Sequence, residues 1–494
     1  MMNTKALYKR IKSRLFWHRS NLVSLPSGGA RGGLLLVPLL LGGAGGGLLA
    51  SCQENENGTV DLSGYTPVPE VTLTYNHPCA LYSAADFQRV KAAIAAGSLT
   101  ADQQAEWTAL QQSPYVMGDY GTTSHATRQI VRGDAKGTID GTENYIIACR
   151  DAAAAYQFGL LWLLTGNETY AQKGVFILND WAAKCQEVTA NDNNKYLSAG
   201  AQGYTFALAA EELRTWSGWS ESEFTEFKNW ILNVFGDQNY KFLQLHGSSN
   251  CGSPKHYMSN WDMVNLCSYL QIGILCEDDD IIQYCTNYFT KTGDGLGALP
   301  NIQQYTFDFT LPDGTKEKVT QAQESGRDQG HATMAIVVAA HLAQSAWALY
   351  EDNPAYTDLD YFASNDQALL RMAEYNAMAN LKSGTHADIS GSQQGGDWLY
   401  TVAQIPFTVA GPWCSDKNHE AGKTQNGFGE KDRGQLRPGY EIYYKHYKDQ
   451  AGSYFVKKYA EVQRPECGSG DARYGSNSGA FDQIGWGTLM LYQE

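Results

Sequence analysis

The stretch that decides the fold is YIIACRDAAAAYQFGLLWLL at 145–164, stopped by Thr165-Gly166-Asn167 and followed by ETYAQKGVFILNDWAAKC at 168–185. The first run is rich in Ala, Leu and aromatic residues. The second carries Val175, Leu178, Trp181 and Ala182 at helical spacing. A Gly-Asn stop between two helical patterns makes them antiparallel neighbours.

The same texture continues in both directions. Ser83 is placed to cap a helix running through Phe87, Val90, Ala93 and Ile94. Further helices are read over 197–216, 221–235, 261–276, 281–290, 332–350 and 365–381. Strand patterns of period two are scarce, the best lying at 305–311, and no strict repeat is visible. A chain of 494 residues suggests about three domains at one per ~150 residues. Helical hairpins closing on themselves offer a single domain instead: an all-α, (α/α) toroid of about six to seven hairpins, one layer inside and one outside. From 383 onward Gly, Gln, Trp and Tyr rise and helical periodicity fades. Long C-terminal loops are expected to cover one end of the toroid, where loops on a rigid scaffold carry binding residues.

The first 51 residues read as a targeting segment. Lys5, Lys9, Arg10, Lys12, Arg14, Arg19 and Arg31 form a basic lead with no acidic residue, and an apolar, glycine-rich run follows from Gly33 to Ala50. It ends Leu49-Ala50-Ser51-Cys52, which resembles a bacterial lipoprotein signal with Cys52 as the lipidated residue. Residues 52–75 read as a polar tether with Pro67 and Pro69, and 76–494 as the catalytic toroid. The protein is expected to be exported and lipid-anchored, in the periplasm or at the outer-membrane surface. The membrane is met only through the anchor, since no later run is read as a bilayer span.

Without the lead's seven basic residues, 30 basic and 52 acidic side chains remain, a net charge of −22. That argues against nucleic acid as a partner. It leaves room for an acidic polysaccharide, which needs only a local basic cluster. Beyond Cys52 there are nine cysteines and no CxxC pair, so no zinc site is expected. Glu277-Asp278-Asp279-Asp280 reads as a solvated turn rather than a calcium site.

Three constellations could carry chemistry. Glu324-Ser-Gly-Arg327-Asp-Gln329-Gly-His331 places an anion, a cation and an imidazole at i, i+3 and i+7, one stripe of a helix at about 100° per residue. Its plain alternative is an ion pair beside a packed histidine. His256-Tyr257-Met-Ser259-Asn260-Trp261-Asp262 precedes an apolar helix, with His256 and Asn260 at i, i+4; the plain alternative is a cap at Ser259 or Asn260. Arg437 to Tyr447 holds Tyr444, His446 and three further tyrosines, either a sugar-stacking surface or aromatic core.

These stretches, with Thr165 to Lys173, resemble the alginate-lyase superfamily of α/α-toroid polysaccharide lyases, closest to polysaccharide lyase family 38. The resemblance implies an Asn, a His, an Arg and a Tyr around a uronate, and Asn260, His256 and Arg327 match by motif. The tyrosine is left open among Tyr257, Tyr305 and Tyr444. It implies β-elimination on a polyuronate, alginate first and glucuronan or a relative second, giving 4,5-unsaturated ends. Asn260 with Arg327 or His256 would neutralise the C6 carboxylate; a tyrosinate, His331 or His256 would take the C5 proton. Trp261, Glu324, Gln329, Arg437, Tyr444 and His446 would bind substrate. No metal or cofactor is required when side chains neutralise the carboxylate. Two other classes compete: a toroid glycoside hydrolase, which needs two carboxylates flanking the bond, and a non-catalytic, lipid-anchored glycan-binding protein.

Overall fold

Capping residues set where the helices begin. The computed structural model describes residues 72–133, 143–245, 259–291, 297–384, 397–402, 428–466 and 485–494. Ser83 and Thr100 each accept a hydrogen bond from the backbone N–H three residues on, opening α1 (Ala84–Ala96) and α2 (Ala101–Gln111). The hairpin read from the sequence is present. α3 (Tyr145–Thr165) ends at Gly166 with φ +72°, and Asn167 caps α4 (Glu168–Lys184). Then come α5 (Asn194–Leu213), α6 (Glu221–Ile231), a π-helical turn (Leu232–Gly236), α7 (Asp237–Leu245), α8 (Asn260–Cys276), α9 (Asp279–Thr290) and the short α10 (Leu299–Ile302). α11 (Gln329–Tyr350), α12 (Ser364–Asn380), α13 (Tyr440–Tyr447), α14 (Tyr454–Gln463) and α15 (Gly487–Leu491) complete the helices.

Contacts among these helices close a ring. α1 touches α3, α3 touches α5, α5 touches α8, α8 touches α11, α11 touches α13, α13 touches α15, and α15 returns to α1. α4, α9, α12 and α14 back onto that ring. This is the expected α/α toroid. α3, α5, α8 and α11 are buried on nearly every face, while α4, α6 and α9 bury one stripe. Each buried Leu, Ile or Phe in the ring contributes about 1.5–3 kcal/mol. Close approach is built in by glycine: a Cβ on Gly200 of α5 would lie 2.7 Å from Val264, and one on Gly203 2.4 Å from Ser268.

These two contacts, advancing together, show that α5 and α8 run parallel. α8 and α11 do as well: Glu324, just ahead of α11, meets Asn260 at the start of α8, and farther along Gln271 bonds Ser345. The N-termini of α8 and α11 therefore share one end of the ring. At the other end lies the arm 72–83. Tyr75 donates to Asp279 at 2.5 Å, Asp278 caps α9, and Glu277 pairs with Arg214 at 2.7 Å. The acidic run is thus a helix start that clamps the arm, not the solvated turn expected.

Among the described residues there are three two-stranded sheets: β1 (Cys79–Ala80) with β2 (Tyr82–Ser83), β3 (Gln129–Val131) with β4 (Glu187–Thr189), and β5 (Gln303–Thr310) with β6 (Lys316–Ala322). The strand expected at 305–311 is one arm of the β5–β6 hairpin, with Phe307 opposite Val319. β6 leads straight into the Glu324 segment. α11 is also long and apolar enough to cross a membrane, which the sequence reading did not recognise, but 94% of its apolar window is buried inside the ring. Cys149, Cys185, Cys267 and Cys285 are buried in the core, while buried Cys79 sets its Sγ against His77 and Glu211.

One buried group strains the ring. Glu212 on α5 is 3% exposed, and its Oε2 accepts no hydrogen bond from a described residue. Burial, with Glu211 adding to it, pushes its carboxyl well above the usual range. Unfolding lets it ionise at its ordinary value, so stability is lost as pH rises above about 4.5 toward the folded-state value. Glu212→Gln should raise stability by roughly 1–3 kcal/mol at pH 8 and by much less at pH 5. Thermal melts at both pH values check this; equal shifts at the two would refute it.

Candidate active site

The end of the ring shared by α8 and α11 collects the polar groups. Ser259 precedes α8 with φ +56° and ψ −76°, a positive-φ conformation that a non-glycine residue holds only under constraint. Neither Ser259 nor Asn260 caps the helix with its side chain. Asn260 is 1% exposed, and neither its Oδ1 nor its Nδ2 has a hydrogen-bond partner among the described residues. Leaving a buried amide unsatisfied costs about 1–3 kcal/mol, so a ligand that supplies the missing partners is the natural reason to keep it.

Asn260 meets the second constellation through its backbone. Its N–H points at the Glu324 carboxylate. Burial raises the Glu324 carboxyl, while the Arg327 and His331 charges oppose that. Arg327 lies 3.8 Å from Glu324 and 3.7 Å from Asp328, loose pairs that leave its side chain 40% exposed. Glu324 therefore sits beneath Arg327, and the guanidinium faces outward.

The stripe is not one helix, as the spacing had suggested. Residues Gln323–Gly326 form a 3-10 turn, the chain extends at Asp328 with φ −168°, and α11 begins at Gln329. Asp328 is the cause. Its carboxylate accepts the His331 backbone N–H at 2.8 Å, capping α11. It also accepts from His331 Nδ1 at 2.7 and 2.8 Å. Burial raises the Asp328 carboxyl, but the His331 hydrogen bonds and the Arg327 charge outweigh it and hold it low. An ionised carboxylate only accepts, so Nδ1 carries the proton and the lone pair of neutral His331 lies on Nε2. The pair forms an oriented base.

Asp328 is thus a functional candidate; the sequence offers it as a hydrolase carboxylate with Glu324, not as the partner of His331. An Asp three residues ahead of a helical His was the available signal. Its folded value is depressed, so its contribution is present above about 3.8 and is lost as pH falls through the folded value. Asp328→Asn should cost about 1 kcal/mol at pH 7, with the gap to the wild type closing in acid. Urea melts across that range check it; a gap independent of pH would show that the charge is not involved.

The other expected binding residues divide by location. Gln329 is 1% exposed: its Nε2 donates to Gly429 O at 3.1 Å and its Oε1 accepts from Asn380 at 3.1 Å, so it braces the site rather than meeting a sugar. Trp261 is buried with its ring 5.9 Å from that of Phe242, which removes it as a sugar platform. Arg437 is buried as well. His446 bonds Gln344 at 2.8 Å and stacks on Phe362, and burial pushes its imidazole well below the usual range. Gln344 lies thirteen residues beyond His331 on α11, roughly 20 Å along the axis at 1.5 Å per residue. Tyr444, under the Arg464 guanidinium at 4.3 Å and beside Tyr492, belongs to that same distant region. The third constellation is therefore core: α13 is an inner helix, and its tyrosines fill the ring. Tyr305 is half-exposed on β5, its ring tilted against that of Phe307 at 4.7 Å. His256, Tyr257 and Cys52 lie outside the described residues.

Residues 428–434 pack against the Arg327 segment instead. Gly429 donates to Ser325 O and Lys431 O accepts from Gln329 N–H, both at 2.8 Å. A Cβ on Gly429 would lie 2.4 Å from Arg327 O, so only glycine allows this approach. Arg433 on the same turn is a further cation near the site. No pattern in the sequence linked it to Arg327.

Residues 91–385, more than half of the chain, match the family model described as alginate lyase. No curated protein matches the chain in sequence. Solved structures that resemble it include alginate lyase A1-III from Sphingomonas species A1, at 13% identity and TM-score 0.46, covering 85% of this chain and 100% of that one. A tyrosine-to-phenylalanine variant of A1-III complexed with tetrasaccharide is 12% identical with TM-score 0.47, covering 85% and 99%. A histidine-to-alanine variant, also with tetrasaccharide, is 16% identical with TM-score 0.39, covering 59% and 74%.

Proposed function

The chain belongs to the alginate lyase family and is a polysaccharide lyase, and from that premise we propose that the Asn260–Arg327–His331 site carries out β-elimination on alginate. The observation that carries this assignment is the buried amide of Asn260, unpartnered among the described residues, beside an outward-facing arginine and an aspartate-oriented histidine. The C5 proton of a uronate is very weakly acidic while the C6 carboxylate is charged. Arg327 pairs that carboxylate, and Asn260 Nδ2 donates to it where the enolate charge develops. His331 Nε2 takes the C5 proton, and its Asp328 partner stabilises the imidazolium. Electrons from the C5–H bond form the C4–C5 double bond as the C4–O bond breaks. The leaving oxygen needs a proton, a role that Tyr257 or Tyr305 would fill.

A hydrolase needs two carboxylates free to flank the bond. Here Asp328 is committed to His331, and Glu324 is 2% exposed beneath Arg327. The finer kinship with polysaccharide lyase family 38 rests on the four sequence stretches. Export and lipidation at Cys52 rest on the basic lead, the apolar run and Leu49-Ala50-Ser51-Cys52. The test is ultraviolet absorbance of the unsaturated product against alginate, polymannuronate, polyguluronate, glucuronan and hyaluronan. A rise on alginate is expected. Reducing ends appearing without absorbance would mean hydrolysis, and neither would leave a binding protein.

A further inference from the structure

Beside the cleavage centre lies a cavity of about 380 Å3, lined by Trp398, Tyr400, Val402, Phe428, Glu430 and Arg433. Arg433 is its chemical focus. Its guanidinium carbon sits 4.0 Å over the Trp398 ring and 5.3 Å from the Phe428 ring. Its Nε donates to Ala379 O at 2.6 Å, and its Nη1 to Glu430 at 3.1 and 3.3 Å. Its Nη2 donates to no described residue. The Arg433 side chain is 6% exposed while that of Glu430 is 67% exposed, so a desolvated cation is matched by a carboxylate that remains mostly in water. Burial lowers the guanidinium's affinity for its proton, with Glu430 opposing. A planar fork held against aromatic rings, with one nitrogen that donates to no described residue, suits a carboxylate on a ring with an apolar face.

The cavity shares a turn of the chain with the cleavage centre. Phe428, Glu430 and Arg433 belong to the turn whose Gly429 and Lys431 bond Ser325 and Gln329 on either side of Arg327. We propose that this cavity is a subsite for a second uronate unit of the same chain. Arg433 pairs its carboxylate, and Trp398 and Tyr400 meet its ring. Glu430 competes with that carboxylate for Arg433. The subsite extends the lyase reading of the Arg327 centre and predicts a preference for longer chains.

The test compares the wild type, Trp398→Ala and Glu430→Gln on long alginate and on the shortest oligouronate that is cleaved. Trp398→Ala should raise KM for the long chain about ten-fold, with a smaller rise on the short one. Glu430→Gln, a change at an exposed side chain, should lower KM for the long chain about two- to three-fold. Unchanged KM in both active variants would overturn the subsite and leave the cleavage centre standing. Absence of turnover in the wild type would overturn the centre instead. Calorimetry of long polyuronate binding then decides the subsite alone: weaker binding by Trp398→Ala, folded by circular dichroism, supports it, and equal binding overturns it.

Discussion

Asn260→Ala lowers kcat on alginate by about 10²–10³-fold, with a much smaller change in KM. The reasoning starts from the side chain's surroundings. An amide that served the fold would be bonded within it, and this one is 1% exposed with both of its polar atoms unpartnered among the described residues. Its donor is of most use where charge moves onto the uronate carboxylate in the transition state. Truncation removes no hydrogen bond to a described residue, so stability should hold or rise by up to about 1 kcal/mol. That combination separates a site residue from a structural one. Steady-state kinetics beside a thermal melt provide the check. A variant that loses stability while keeping kcat would place Asn260 in the scaffold.

Arg327→Lys lowers kcat/KM by about 10²-fold although the charge is kept. Arg327 holds its neighbours at 3.7–3.8 Å, too long for hydrogen bonds, so its planar fork is available to a substrate carboxylate. Lysine offers a point charge on a flexible stem and loses the bidentate geometry. Arg327→Ala should be worse in a second way. The cation that opposes burial at Glu324 would be gone, and the Glu324 carboxyl would rise further. Wild-type kcat/KM in Arg327→Lys would show that charge alone suffices and that the fork is idle.

The helices were legible because each carries its own signal. Ser83, Gly166 and Asn167 mark ends by local hydrogen bonding and by a backbone conformation suited to glycine, and neither depends on distant residues. The break at Asp328 was not legible from spacing alone. Periodicity at i, i+3 and i+7 fits a continuous helix equally well, and the outcome was decided by a side chain that bonds both the backbone and the ring of His331. Likewise, Arg437 to Tyr447 has the composition of a sugar site, but α13 takes an inner place in the ring and its aromatics became core. Composition cannot tell a buried tyrosine from a stacking one.

The sequence by itself determined an all-α chain of antiparallel hairpins, and it placed Asn260 and Arg327 each at the mouth of an apolar helix. It did so because caps, stops and apolar periodicity act over a few residues. Only the tertiary structure decided that α8 and α11 run parallel with both mouths at one end, that Glu324 lies beneath Arg327, and that residues 428–434 supply a second cation there. The physical reason is ring closure. Which helix ends meet depends on the direction and order of packed helices, and that is settled by long-range burial rather than by any local run of residues.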